Sequence, residues 1–160
     1  MDDPDAPGGD GTAGIYARES PYLGRYVQLG VASGRLLSVS FPESPDPSAD
    51  EAHELLDRVF AYLEGKRDDF RDVDVALAAA TADHAILEAV REVPYGENAS
   101  VKQVARMAGR APEDQADLQR VRQALADNPT PLFVPDHRVR DGASASPPAV
   151  EQRLRSLEGL

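Results

Sequence analysis

The segment Pro135-Asp136-His137-Arg138-Val139 sets a carboxylate beside an imidazole, residue types that could serve as nucleophile and base in a hydrolytic reaction. No thiol can take part. The 160-residue chain has no cysteine, which excludes disulfides, thiolate metal sites, iron–sulfur clusters and every mechanism built on a sulfur nucleophile. The remaining histidines, His53 and His84, lie far from His137, and no two sit four residues apart as a helical metal pair would. Neither a metal nor a cofactor is expected.

Charge is the next constraint. The formal net charge is -11, from 17 Asp, 11 Glu, 15 Arg and 2 Lys. Self-repulsion of this size keeps a chain soluble and is a lever used by halophiles, so an Asp-rich, Lys-poor composition suggests a salt-loving source. Residues 1–81 hold 7 basic and 16 acidic side chains, whereas residues 82–160 hold 10 and 12. Within 98–140, Lys102, Arg106, Arg110, Arg120, Arg122, Arg138 and Arg140 face five acidic residues, Glu113, Asp114, Asp117, Asp127 and Asp136. A polyanion would approach there, although seven against five also describes a mixed solvated surface.

The elements that must position these groups follow from spacing. With 41% apolar residues, the chain can build one ordinary domain or two small ones. Residues 1–13 are Asp, Gly, Pro and Ala with little to bury, and a disordered tail is expected. Tyr26–Val31 and Arg35–Phe41 read as two strands around a Ser33-Gly34 turn, with a short edge strand near Ile15-Tyr16. A Pro-rich loop at 42–47 precedes a helix capped by Ser48 or Asp50, with Leu55, Leu56, Val59, Phe60 and Leu63 inward and Gly65 at its end. An apolar run follows over Val73–Leu77, and a domain boundary falls in the alanine-rich linker 78–82.

Beyond it, Ala85–Val93 is helical until Pro94-Tyr95-Gly96. Asn98 or Ser100 caps a helix that buries Val101, Val104, Ala105 and Ala108 and stops at Gly109. A further helix runs from Glu113 to about Asp127, with Leu118, Val121, Ala124 and Leu125 inward. Leu132–Val134 is a short strand or extended segment, and a last helix after Pro147-Pro148 turns Val150, Leu154 and Leu157 inward. Helix, short turn, helix fits a helix-turn-helix or any small helical bundle. No stretch approaches the about 20 apolar residues of a membrane helix, and the chain begins Met-Asp-Asp-Pro-Asp rather than with a basic and then apolar signal. A cytoplasmic protein with no membrane partner is expected.

Three blocks then fall in register with a known family. "VPYGENAS" at 93–100, "NP" at 128–129 and "VPDHRV" at 134–139 resemble the Ile-Pro-Tyr-Gly-Glu-Thr, Asn-Pro and Pro-Cys-His-Arg-Val blocks of the alkylguanine-DNA alkyltransferases. "YLEGKRDDF" at 62–70 resembles the end of their N-terminal domain, so the likeness covers about residues 14 to 160. The resemblance implies an α+β chain. It places a small ribonuclease-H-like antiparallel sheet with a helix over 14–77 and a winged helix-turn-helix domain over 78–160. It further implies binding of double-stranded DNA through the minor groove and extrusion of a damaged guanine, whose reacting oxygen is unreachable inside the stack. The alkyl group then passes irreversibly to a cysteine.

That cysteine position falls on Asp136. His137 matches the activating histidine, Glu158 in "SLEG" matches the glutamate that orients it, and Asn128 matches the asparagine that braces the active-site loop. Other positions depart from the family. The tyrosine that rotates the target phosphate maps to Val101, the arginine that fills the base stack maps to Gln119, and the pocket-lining glycine loop is replaced by "ASASPPAV" at 143–150. Val101, Lys102, Gln119, Arg120, Arg122 and Arg138 are the expected DNA-contacting residues. Oxygen anions displace at saturated carbon far less readily than thiolate. A non-catalytic, alkyltransferase-like DNA sensor working as a monomer with repair proteins is therefore expected, with a protein-interaction or regulatory module as the alternative and an enzyme using Asp136 as a third reading. Alkyltransferase-like relatives also lack the cysteine, usually with tryptophan or alanine there. An anion in such a pocket would repel a guanine oxygen, so an accepted base would instead offer an amino donor.

Overall fold

A computed structural model describes residues 13–77 and 83–160. The tail expected over 1–13 falls, but for Ala13, outside those residues, as does the linker at 78–82. The described residues form a mixed α/β structure with a three-stranded antiparallel sheet and five α-helices.

The sheet is a meander of β1 (Gly14–Ser20), β2 (Arg25–Ala32) and β3 (Arg35–Ser40). Val27, Leu29 and Val31 are buried while their neighbours on β2 are half-exposed, the period-two alternation of a sheet with one face on the core. Ser33 and Gly34 both have positive φ, 55° and 74°, as a two-residue turn matched to strand twist requires. The edge strand expected near Ile15-Tyr16 is longer than its apolar content indicated, because all seven of its residues pair with β2.

Both sheet edges are covered. Ala17 N donates to Asp50 O at 2.8 Å, and Asp50 N to Ile15 O at 3.0 Å. On the far side Leu36 bonds to Asp74 and Ala76, and Val39 N donates to Pro129 O at 2.9 Å. This last bond ties the sheet to the residue that follows Asn128.

Helix α1 (Glu54–Leu63) buries Leu56, Val59, Tyr62 and Leu63. Its cap is neither Ser48 nor Asp50 but His53, whose Nδ1 accepts from Leu55 N at 3.0 Å. Asp50 is instead committed by its backbone to the sheet edge, and Ser48 to Asp46, so neither is free to start the helix. Helices α2 (Asp83–Arg91), α3 (Val101–Met107) and α4 (Gln115–Ala126) pack on one another. Ser100 and Gln103 form a reciprocal capping box on α3, satisfying two otherwise orphaned amides.

Leu132–Val134 makes no ladder with the sheet. It forms a turn closed by a Pro131–Val134 bridge, with Leu132 held at φ 80°. A 3-10 turn, Asp136–Arg138, follows. Helix α5 (Pro148–Glu158) opens on a proline, closes on Gly159 at φ 80°, and buries Val150, Leu154 and Glu158. That four-residue spacing puts the carboxylate on the same face as the apolar anchors. The buried apolar side chains of sheet and helices form one continuous cluster.

Candidate functional site

The 3-10 turn delivers Asp136, His137 and Arg138 to the interior in succession. It is held against α3 by Ala99, whose N donates to Arg138 O at 2.8 Å and whose O accepts from Arg140 N at 2.9 Å. All three side chains are essentially without solvent contact.

Asp136 is 0% exposed. Its Oδ2 accepts from Asn128 Nδ2 at 3.0 Å and from Ala145 N at 2.9 Å, while Oδ1 accepts from Ser144 Oγ at 2.6 Å. Asn128 also donates to Val134 O and accepts from Thr130 N, so one side chain braces both sides of the turn. Burial pushes the Asp136 carboxyl above its ordinary value, and the bonds from Ser144, Ala145 and Asn128 offset that push in part. Glu151 on α5 is raised as well, by burial first and then by the Asp136 charge.

Glu158 is the centre of a second network. His137 Nε2 lies 2.8 Å from Oε2, and Arg138 donates through Nε to Oε1 at 2.8 Å and through a terminal nitrogen to Oε2 at 3.0 Å. Gly96 N reaches Oε1 at 3.1 Å, and the Tyr62 hydroxyl on α1 donates to Oε2. Burial alone would raise this carboxyl, but the bonds from His137 and Arg138 outweigh it and hold Glu158 well below the usual carboxylate range. Tyr62 is pushed far up, by burial first and then by the neighbouring Glu158 charge. An ionised Glu158 accepts a hydrogen bond from His137 Nε2–H, and Nδ1 has no partner among the described residues.

Asp136, Asn128, His137, Glu158 and Arg138 are thus brought together, and two expectations are corrected. Arg138 is 1% exposed and spends its guanidinium on Glu158, Val93 O and Asp69. Val101, also 1% exposed, faces the core, because the first residue of α3 begins its buried stripe. Neither side chain has a surface to offer DNA. Lys102, Gln119 and Arg120 are exposed and Arg122 is half-buried. Sequence reasoning missed Tyr62, Asp69, Ser144 and Ala145. Tyr62 shares the inward stripe of α1, where a buried hydroxyl needs a partner, but nothing local names Glu158, 96 residues away.

Chemically, this is a closed hydrogen-bonded core. A nucleophile needs a free lone pair facing its target, and Asp136 has both oxygens engaged, Oδ2 by two donors and Oδ1 by one, and shut from solvent. The edge expected to meet an incoming amino donor is covered by the Ser144 hydroxyl and the Ala145 backbone N–H. Among the described residues no group of His, Asp and Glu is arranged to hold a metal ion.

Residues 81–157 match the DNA-binding domain of 6-O-methylguanine DNA methyltransferase. The methylated-DNA–protein-cysteine methyltransferase of Methanopyrus kandleri is 31% identical over 128 residues, which cover 77% of this chain and 93% of that protein. The chain belongs to this methyltransferase family. The Metallosphaera sedula enzyme of the same name is 32% identical over 99 residues, 61% of this chain, and the match spans only 60% of that relative. Mycobacterium tuberculosis OGT, solved in complex with DNA, superposes with a TM-score of 0.68 at 23% identity, covering 91% of each chain. The methyltransferases act through a cysteine, and this member has none.

Proposed function

We propose that the chain is a non-catalytic, alkyltransferase-like DNA-binding protein that senses modified or distorted duplex DNA and passes it to repair proteins. The observation that carries this reading is the closure of Asp136. On this reading the position where the family has its acceptor is filled by a carboxylate that is buried and triply hydrogen-bonded, by the Asn128 amide, the Ser144 hydroxyl and the Ala145 backbone N–H. Matching residues 81–157 to a DNA-binding domain supports the partner.

On this reading residues 14–77 form a ribonuclease-H-like unit and residues 78–160 a winged helix-turn-helix unit. The packing of α3 on α4 and the positive φ of Gly109 between them support the latter. The protein works as a cytoplasmic monomer on the minor groove, and its Asp-rich charge suits a saline cell. Gln119 and Arg122, one helical turn apart on α4, face the duplex with Lys102 and Arg120.

Titration against duplexes with and without alkylguanine, at high and low salt, tests the reading. Binding to both or to the alkylated duplex is expected, and binding to neither sinks it. Loss of binding in the double variant Gln119→Ala, Arg122→Ala is the expected signature of α4 as reader. Intact-mass measurement after incubation with alkylated DNA should show no added alkyl group. An adduct on Asp136 would establish the catalytic alternative. The protein-interaction alternative is favoured by the loss of a tyrosine and an arginine at Val101 and Gln119, and retention of a partner without any DNA affinity would establish it.

A further inference from the structure

The cations expected to meet DNA differ in what already neutralises them. Lys102 Nζ lies 3.5 Å from Glu113, Arg110 lies 3.0 Å from Asp117, and Arg120 Nε lies 3.2 Å from Asp83. Arg138 is buried on Glu158. Of the seven basic residues between 98 and 140, that leaves Arg106, Arg122 and Arg140 without a carboxylate partner among the described residues. Among the described residues the Arg140 guanidinium donates only to the neutral Asn98 Oδ1, at 2.7 Å. Arg106 is exposed on α3, Arg122 half-buried on α4, and Arg140 exposed just after the 3-10 turn.

Resting on the DNA-binding reading, we propose that Arg106, Arg122 and Arg140 supply the phosphate contacts, while Glu113, Asp117 and Asp83 hold the other surface cations in reserve. The physical reason is counterion exchange. A free arginine that neutralises a phosphate releases a cation from the duplex, and this release drives binding. A lysine that leaves its carboxylate for a phosphate exchanges one ion pair for another and leaves the carboxylate uncompensated beside the polyanion. A paired cation therefore stays on its carboxylate and adds little affinity and little salt dependence. Glu113, Asp117 and Asp83 thereby become affinity-setting residues, a role their own sequence positions do not suggest.

Fluorescence anisotropy of a labelled duplex across a salt series reads this directly, because each phosphate neutralised contributes about -0.9 to the slope of log affinity against log salt. The wild-type protein is expected to give a slope of about -2.7, against about -5.4 if all six surface cations engaged phosphate. Arg106→Ala should flatten the slope by about one contact, and Arg106→Lys should restore it, which a merely structural role would not require. Glu113→Gln should free Lys102, tighten binding at low salt several-fold and steepen the slope by about one contact. A wild-type slope near -5, or a Glu113→Gln protein with unchanged slope, would overturn the assignment while leaving DNA binding intact. Absence of binding by every variant at every salt would overturn both.

Discussion

Asp136 is costly as a charge and useful as a shape. Its folded carboxyl sits above its ordinary value because burial disfavours the ion. The folded state therefore holds the proton more tightly than the unfolded chain, and the stability linked to it is fully present below about pH 4 and lost as pH rises through the folded value. Asparagine can present a carbonyl to Asn128 and Ala145 and an amide to Ser144. Asp136→Asn is thus expected to melt higher than the wild type near pH 7, with the difference closing as pH approaches 4. Thermal melts across pH check this, and an Asn variant less stable at pH 7 would show that the ionised form is needed. Asp136→Ala removes the acceptor and orphans buried donors, at about 1–3 kcal/mol for each donor left unpaired. Chemical denaturation should rank Asn above Asp above Ala at neutral pH.

Scaled up to elements, Glu158 joins α1, the 93–96 segment, the 3-10 turn and α5 through one carboxylate. Breaking a buried ion pair by removing one partner costs about 3–5 kcal/mol, and Glu158→Gln should lose stability of that order. The sign with pH is opposite to that of Asp136. Glu158 is held below its ordinary value, so its contribution is present above about pH 4.3 and lost as pH falls through the folded value. The Gln variant should flatten the acid limb of a stability–pH curve, and an unchanged limb would show that another carboxyl governs it. Tyr62→Phe should cost about 1.5–3 kcal/mol, the range for a hydrogen bond to a charged group.

These elements were unequally legible. The β2–β3 turn and the inward stripes of α1 and α4 could be read because period and turn chemistry are local. Among capping candidates Ser100 could be read but His53 could not, since Ser48 and Asp50 carry the usual capping side chains and only the fold commits Asp50 to the sheet edge and Ser48 to Asp46. The Asp136, His137 and Glu158 positions came from register with a family. Ser144 and Ala145 as their partners did not, because a loop of small residues carries no sign of what it will fasten.

For the whole molecule, the continuous core and the Tyr62–Glu158 and Val39–Pro129 bonds predict a single cooperative unfolding transition by two optical probes. Two separated transitions would show that the parts before and after residue 78 fold independently. The Val39–Pro129 bond also bears on the order in which the chain is made. The sheet leaves the ribosome complete well before residue 129, with part of the outer edge of β3 awaiting a partner that does not yet exist. An open edge is a template for any other strand nearby. Nascent chains stalled short of that partner should accordingly stick to one another, and release of the finished chain should end their self-association.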